Sequence, residues 1–226
     1  MESFSKRTEM LLEEGCRLLE DSKVAVFGLG GVGSYCAEAL ARTGIGEMII
    51  CDGDTVSITN INRQLCALNS TVGKPKTEVV ANRLMDINPN LKLTVLNRFI
   101  TPDDDLSILE GCTYVADCID DVPAKLAIIT TCKENNVPII SALGCGNRLD
   151  PQKLTVTDIY KTSGCPLARS VRSKLRKIGV DSLDVLFSTE EPLKPANATC
   201  PGSIAFVPSV AGLIMAGYIV RKISKK

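Results

Sequence analysis

A glycine-rich turn between two buried-strand patterns constrains this chain more than any other feature. The run Val24–Phe27 is short and apolar, which is typical of a parallel strand buried on both faces. Glycines follow at once, and a helix pattern then continues to Gly44 before a second apolar run ends at Asp52. The glycines allow a tight turn and let a phosphate approach the amides at the helix N-terminus. They are Gly28, Gly30, Gly31 and Gly33.

This order of strand, turn, helix, strand and acid predicts a nucleotide-binding α/β fold. We expect a Rossmann-like, doubly wound and mainly parallel sheet, with antiparallel strands added near the C-terminus, where Leu154–Asp158 alternates. Asp52 lies about 20 residues after the glycines, where an acid accepts hydrogen bonds from ribose hydroxyls. A further acid, Asp120, follows the buried-strand pattern Thr113–Ile119, and ligands bind at the carboxyl ends of such strands.

The residues after Asp52 favour a triphosphate over a dinucleotide. A dinucleotide needs one acid for its ribose, but it does not need the cations Arg63 and Lys76 that follow here. ATP with magnesium needs such cations, because negative charge builds on the phosphates that leave. We therefore expect ATP and Mg²⁺ as ligands, and an NAD-binding, dehydrogenase-like domain is the alternative. The other residues expected to contact or frame the nucleotide are Asp54, Asn60 and Gln64.

The pattern DxDxVxxxNxxRQ, which begins at Asp52, resembles the superfamily of ubiquitin-activating enzymes and the bacterial adenylyltransferases of thiamin and molybdopterin synthesis. Within that superfamily the chain is most similar to the tRNA threonylcarbamoyladenosine dehydratases, from about Arg7 to the C-terminal apolar helix. The stretches that carry this similarity are ARTGIG (41–46), VGKPK (72–76), DINP (86–89) and FVPSVAGL (206–213).

The resemblance implies an enzyme that adenylates a carboxylate. In the dehydratases the carboxylate belongs to a threonylcarbamoyl group on a tRNA adenosine, and ring closure then releases AMP. Arg63 and Lys76 would neutralise the phosphates together with Arg7 of a partner subunit in a homodimer. Asp120 would bind magnesium, although it could instead cap the helix Val122–Asn135. The alternative substrate is the C-terminal glycine of a small sulfur-carrier protein.

Cysteine and histidine usage limits the chemistry. The chain has ten cysteines, no CxxC pair and no histidine, so neither the zinc site of the thiamin and molybdopterin relatives nor a histidine base is expected. Met1–Thr8 is polar and charged, unlike a signal peptide, and the scattered cysteines indicate reduced core residues in a cytoplasmic protein. Cys145, Cys165 and Cys200 are the alternative acyl or sulfur acceptors.

Length and charge predict one domain, residues 1–226, with a basic C-terminal third. Residues 1–150 contain 14 Lys/Arg and 21 Asp/Glu, whereas residues 151–226 contain 12 and 5. The amphipathic pattern Cys165–Ile178 places three arginines on one face, and a phosphate backbone such as that of tRNA would bind there. A solvated surface is the alternative. These arginines are Arg169, Arg172 and Arg176.

Five further segments complete the sequence-based picture. Helices are expected at Glu2–Asp21 and Asn60–Leu68, and Val137–Leu143 is expected to be the last parallel strand. The loop Glu190–Gly202 is rich in proline, alanine and asparagine, which predicts a long mobile connection. Ile204–Val220 is uncharged but interrupted by proline and glycine, so we expect a core or dimer-interface helix and no stable membrane insertion.

Overall fold

One seven-stranded sheet runs through the molecule in the computed structural model, which describes residues 4–193, 196 and 200–225. The strands are β1 (Lys23–Phe27), β2 (Glu47–Cys51), β3 (Lys92–Leu96), β4 (Tyr114–Asp117), β5 (Ile139–Ala142), β6 (Leu154–Asp158) and β7 (Asp184–Ser188). Their order across the sheet is β3-β2-β1-β4-β5-β7-β6, and in this part of the chain only β6 and β7 pair antiparallel. The expected Rossmann-like, mainly parallel fold is confirmed.

Helices cover both faces of the sheet, so the central strands are buried on both sides. In β1, Val24 and Val26 enter one core while Ala25 and Phe27 enter the other. This explains the continuous apolar run in the sequence. The helices are α1 (Lys6–Leu12), α2 (Gly15–Glu20), α3 (Gly33–Arg42), α4 (Lys76–Ile87), α5 (Val122–Glu134), α6 (Pro166–Lys177) and α7 (Phe206–Ser224). Residues of α3, α4 and α7 pack in the first core, and residues of α5 and α6 in the second.

The strand order reverses between β1 and β4, which places the ligand cleft. From β1 the chain passes through α3 to β2 on one side, and it later returns to β4 on the other side of β1. Connections therefore leave in opposite directions and open a crevice at the carboxyl ends of these two strands. The glycine turn after β1 and Asp120 after β4 both lie at this point.

The apolar C-terminal segment is a core helix that packs on α3. Val207, Ala211 and Met215 are buried in the core that α3 also enters. A Cβ at Gly212 would lie 2.3 Å from the carbonyl oxygen of Val32, so glycine permits the close approach of α7 to the start of α3. By length and composition alone α7 could cross a membrane, but half of it is buried within the protein.

Three expectations about local structure are wrong. The expected helix Glu2–Asp21 is two helices, because the chain breaks at Glu13, whose φ is 50°. The segment Asn60–Leu68 forms turns after a short 3-10 helix, Ile58–Asn60, rather than a helix. Finally, β5 is not the last parallel strand, because β7 pairs parallel with it and β6 then pairs with β7 at the edge.

Candidate active site

A cleft of about 970 Å³ opens at the carboxyl ends of β1, β2, β4 and β5. It brings together side chains and turns that are distant in sequence, and nearly every residue expected to bind the nucleotide lines it. Gly33 and Arg7 are the two exceptions. The expected residues that line the cleft are Gly28, Gly30, Gly31, Asp52, Asp54, Asn60, Arg63, Gln64, Lys76 and Asp120.

The glycine turn is shaped by close backbone approaches. Gly28 has φ +83°, and a Cβ there would lie 2.8 Å from the carbonyl oxygen of Cys118. A Cβ at Gly33 would lie 1.7 Å from the carbonyl oxygen of Gly28, so α3 can begin directly against β1 only with glycine here. Gly33 therefore serves helix packing, and the turn before it faces the cleft.

Asp52 joins the glycine turn to the loop after β2. Its Oδ2 accepts a hydrogen bond from the backbone amide of Leu29 at 2.6 Å, and its Oδ1 accepts one from the amide of Asp54 at 2.8 Å. A carboxylate has about four acceptor positions, so it retains capacity for ribose hydroxyls. The same side chain can thus hold the turn in shape and bind a nucleotide sugar.

The two expected phosphate-binding cations are held in place by neighbouring oxygens. Lys76, at the start of α4, is only 5% exposed, and its Nζ lies 2.7 Å from Oδ2 of Asp54. Arg63 Nη1 donates to the carbonyl oxygen of Thr59 and to Oδ1 of Asn62, both at 2.9 Å. A guanidinium has five N–H donors, so Arg63 keeps others for a phosphate.

Asn60 and Gln64 frame this part of the cleft. Asn60 Oδ1 accepts from the backbone amide of Ser57 at 3.0 Å and closes a capping box around the 3-10 helix. Gln64 is buried, and its Nε2 lies 3.6 Å from the position that a Cβ on Gly30 would take. Both side chains therefore have a structural role in addition to lining the cleft.

The two acids after β4 have different environments. Asp121 is the N-cap of α5, and its Oδ1 accepts from the backbone amide of Ala124 at 2.9 Å. The capping role that Asp120 could have had belongs to Asp121, and both carboxylates line the cleft. Among the described residues no three His, Cys, Asp or Glu side chains cluster as metal ligands. One or two carboxylates suit Mg²⁺, which takes its remaining ligands from water and substrate phosphates.

A buried ion pair beneath the cleft was not anticipated from the sequence. Lys125 on α5 and Asp117 at the end of β4 are both fully buried, and Nζ lies 2.6 Å from Oδ2. Lys125 also donates to the carbonyl oxygen of Ala142 at 3.1 Å, which links the ends of β4 and β5. The signal available in the sequence was a lysine inside the otherwise apolar run VPAKLAII.

Sequence reasoning also missed Arg148, which lines the cleft after β5. Its side chain is 2% exposed, and neither Nε nor Nη1 has a hydrogen-bond partner among the described residues. The remaining contact, from Nη2 to the carbonyl oxygen of Gly164, is 3.5 Å long. An arginine directly after GCGN, close to the predicted ligand edge, was the signal that could have indicated it.

Three cysteines line the same end of the cleft as Arg148. Burial raises the pKa of Cys145 to about 12 despite the nearby Arg148, and its Sγ donates to the carbonyl oxygen of Leu143 at 3.4 Å. Cys165 caps α6, where its Sγ accepts from the amide of Ala168. Cys200 is exposed. Cys145 is therefore a protonated thiol near neutral pH.

The arginines expected to act outside the nucleotide cleft differ in their contacts. Arg7 is exposed on α1 and does not line the cleft of its own chain, so its role toward a partner subunit stays a prediction. Arg172 donates to the carbonyl oxygen and hydroxyl of Thr162 at 2.9 and 2.6 Å. Arg176 stacks over the ring of Tyr160 at 5.2 Å. Two of the three arginines on α6 thus contact their own protein.

Comparisons with known proteins agree with this geometry. A model described as the ThiF family matches residues 5–226. A tRNA threonylcarbamoyladenosine dehydratase from Bacillus subtilis is 41% identical over all of this chain and 96% of its own length. The Escherichia coli protein of that name is 41% identical over 85% of this chain and 75% of its own.

Solved structures extend the comparison to the nucleotide. The Escherichia coli dehydratase in complex with AMP matches with a TM-score of 0.92 and 37% identity, covering 97% of this chain and 93% of that one. The same enzyme in complex with ATP matches with a TM-score of 0.90 and 36% identity, covering 98% and 93%. A molybdopterin-synthase adenylyltransferase from Salmonella typhimurium is 36% identical over 64% of this chain and 57% of its own.

Proposed function

The chain belongs to the ThiF family, and we propose that it is an ATP-dependent tRNA threonylcarbamoyladenosine dehydratase. The observation that carries this conclusion is the cleft, where a glycine turn, a ribose-binding acid and two cations surround a space of nucleotide size. The full-length match to dehydratases that bind ATP and AMP gives the reaction class.

The first step joins the substrate carboxylate to AMP. A carboxylate oxygen attacks the α-phosphorus of ATP, the bond to the bridging oxygen breaks, and pyrophosphate leaves. Both reactants are anionic, so positioning and charge neutralisation by Arg63 and Lys76 supply much of the rate. Asp52 orients the ribose. Asp120 would hold magnesium, and the bound ion would supply positive charge to offset that on the departing pyrophosphate.

The second step closes a ring without a protein nucleophile. The carbamoyl group of the same threonylcarbamoyl side group attacks the acyl carbon, AMP leaves, and one proton is released. The ring product contains one water molecule less than the starting group. The raised pKa of Cys145 supports this route, because a neutral thiol is a poor acceptor for the acyl group.

A homodimer would complete the phosphate site. Arg7 lies on α1, whose Met10 and Leu11 are 77% and 76% exposed. Exposed apolar residues on a helix favour packing against another chain. If that chain is a second copy, its Arg7 is available to the phosphates, and Arg7→Ala should then lower turnover in a folded dimer. The ten cysteines are all free thiols, which supports a cytoplasmic location.

One experiment tests the reaction against its alternatives. The protein is incubated with ATP, Mg²⁺ and tRNA that either carries threonylcarbamoyladenosine or lacks it, and AMP and pyrophosphate are measured. We expect both products only with the modified tRNA. AMP formation that instead requires a sulfur-carrier protein with a C-terminal glycine would assign the chain to the adenylyltransferases. Thermal stabilisation by NAD, but not by ATP with magnesium, would reject adenylation.

A further inference from the structure

Arg148 is a buried cation whose charge is not balanced within the described part of the chain. It is 2% exposed, it forms no ion pair with a described carboxylate, and two of its three nitrogen atoms donate to nothing there. Burying an unpaired charge is costly, and a missing ligand is one reason that such a group persists. Arg148 also lines the cleft, so it lies next to the space in which an anionic ligand would bind.

The backbone around Arg148 is fixed by contacts across the cleft. Asn147 has φ 57°, its amide donates to the carbonyl oxygen of Gly202 at 2.8 Å, and its Oδ1 accepts from the amide of Gly202 at 2.6 Å. On the other side, Glu190 accepts from the amides of Leu149 and Asp150. The residues that flank Arg148 are therefore held on both sides, which suits a group that positions a ligand.

The place of Arg148 in the sheet separates it from the phosphate-binding cations. Asp52 follows β2 and Lys76 begins α4, whereas Arg148 follows β5, three strands away. Strands lie about 4.8 Å apart, so roughly 14 Å separates the ends of β2 and β5. Arg148 thus lies toward the β5 end of the cleft, whereas Lys76 lies toward its β2 end, where pyrophosphate would bind.

The geometry of displacement assigns an anion to that end. The attacking and leaving oxygens of a phosphorus centre lie roughly in line. If pyrophosphate leaves toward Lys76, the attacking carboxylate approaches from the side of β4 and β5, where Arg148 lies. A guanidinium presents two parallel N–H groups to the two oxygens of a carboxylate, one from Nη2 and the other from either Nε or Nη1. In Arg148, Nε and Nη1 are both unpartnered among the described residues, and Nη2 has two hydrogens for a single contact of 3.5 Å.

We infer that Arg148 binds the carboxylate of the threonylcarbamoyl group and positions it for attack on ATP. The inference rests on the proposed function and adds a substrate-recognition residue to it. One oxygen of the bound carboxylate attacks while the other stays hydrogen-bonded. Binding also supplies a counter-charge that no described residue gives Arg148.

The test compares a free acid with its ester. A short RNA stem-loop carries threonylcarbamoyladenosine either as the acid or as its methyl ester, which keeps the size but removes the charge. Binding is measured with a non-hydrolysable ATP analogue, so no turnover is required. The parent protein should prefer the acid, and Arg148→Met should abolish the preference, weakening acid binding by at least about 30-fold. Affinity for the ATP analogue should not change.

Stability separates ligand binding from a structural role. Because Arg148→Met removes an unpaired buried charge and keeps an unbranched apolar chain, its melting temperature without ligand should equal or exceed that of the parent. Arg148→Lys, which keeps the charge but loses the fork, should show an intermediate preference. Arg17→Met, at an exposed arginine on α2, is the matched control and should bind the acid like the parent.

Three results would overturn the inference. They are a parent protein that binds acid and ester equally, an Arg148→Met protein that keeps the preference, and an equal loss of ATP-analogue binding in that variant. If Arg148→Met does not fold, acid binding by Arg148→Lys as tight as that of the parent would assign the side chain to structure. Failure of the parent to form AMP with modified tRNA would instead reject the proposed function, and the binding assay would still report on Arg148.

Discussion

The two ends of the cleft hold their cations in different ways. At the phosphate end Lys76 is paired with Asp54 and Arg63 is bonded to neighbouring oxygens before any ligand binds. At the far end Arg148 has only the 3.5 Å contact from Nη2 to the carbonyl oxygen of Gly164 among the described residues. The phosphate end is therefore preorganised by protein contacts, whereas the far end is completed by its ligand. Functional sites commonly retain such locally unfavourable groups, at a cost in stability.

Removing a paired buried cation should have the largest effect on the free energy of unfolding, and it tests how paired and unpaired buried cations differ. Lys125→Met leaves Asp117 buried without its partner, which we expect to lower the free energy of unfolding by about 3–5 kcal/mol. Urea denaturation measures this loss. The double variant Lys125→Met, Asp117→Leu should recover much of it, because no buried charge then remains. Equal effects for Lys125→Met and Arg148→Met would contradict the distinction between the two cations.

The next largest effect, on the rate of AMP formation, is expected from the loss of a phosphate or metal contact. Arg63→Ala and Asp120→Ala should each lower AMP formation on the order of 100-fold or more, with little change in unfolding free energy. Asp121→Ala is the matched comparison for stability, because it removes the cap of α5 and should cost about 1 kcal/mol. Near-normal turnover in Arg63→Ala or Asp120→Ala would show that the phosphate and metal site lies elsewhere.

The sequence predicted the phosphate end of the cleft far better than the opposite end. The turn, Asp52, Lys76 and Asp120 follow one another in local patterns that reflect strand–turn–helix geometry. The role inferred for Arg148 depends on the hydrogen bond between Asn147 and Gly202 and on the pairing of β7 with β5. Both contacts connect distant parts of the chain. Local sequence patterns do not encode those contacts.

The same limit explains the errors in the fold. The insertion of β7 between β5 and β6 is a non-local pairing, because β6 comes before β7 in the chain but lies outside it in the sheet. The break at Glu13 requires a positive φ at a non-glycine residue, which no local sequence pattern indicates. The arginines of α6 were correctly placed on one face, but their contacts with Thr162 and Tyr160 depend on tertiary packing.

The arginines of α6 provide a smaller test of the tRNA surface. Arg172 and Arg176 already contact Thr162 and Tyr160, so we expect Arg169 to contribute most of any phosphate contact by this helix. Arg169→Ala should then reduce the log–log salt slope of tRNA binding by about 0.9, the value for one phosphate contact. An unchanged slope would assign this helix to solubility and direct the search to the C-terminal end.

The smallest effect on turnover is expected at the cysteines. Burial raises the pKa of Cys145 to about 12, so at pH 8 iodoacetamide should modify exposed Cys200 and leave Cys145 intact, as mass spectrometry of peptides would show. Modification of Cys145 should rise steadily with pH but stay slower than that of exposed Cys200. Changing Cys145, Cys165 and Cys200 to serine, singly and together, should retain most turnover. Complete loss in a folded single variant would indicate acyl transfer to a thiol.

The contact between α3 and α7 makes the order of synthesis matter. The helix that begins at the glycine turn, α3, is synthesised before α7, which covers it and follows all seven strands in the chain. Until Val207–Met215 has been made, an apolar face of α3 remains uncovered. Incomplete chains would therefore present a hydrophobic patch of the kind that chaperones and proteases engage. The core that supports the glycine turn is therefore complete only after α7 has been synthesised.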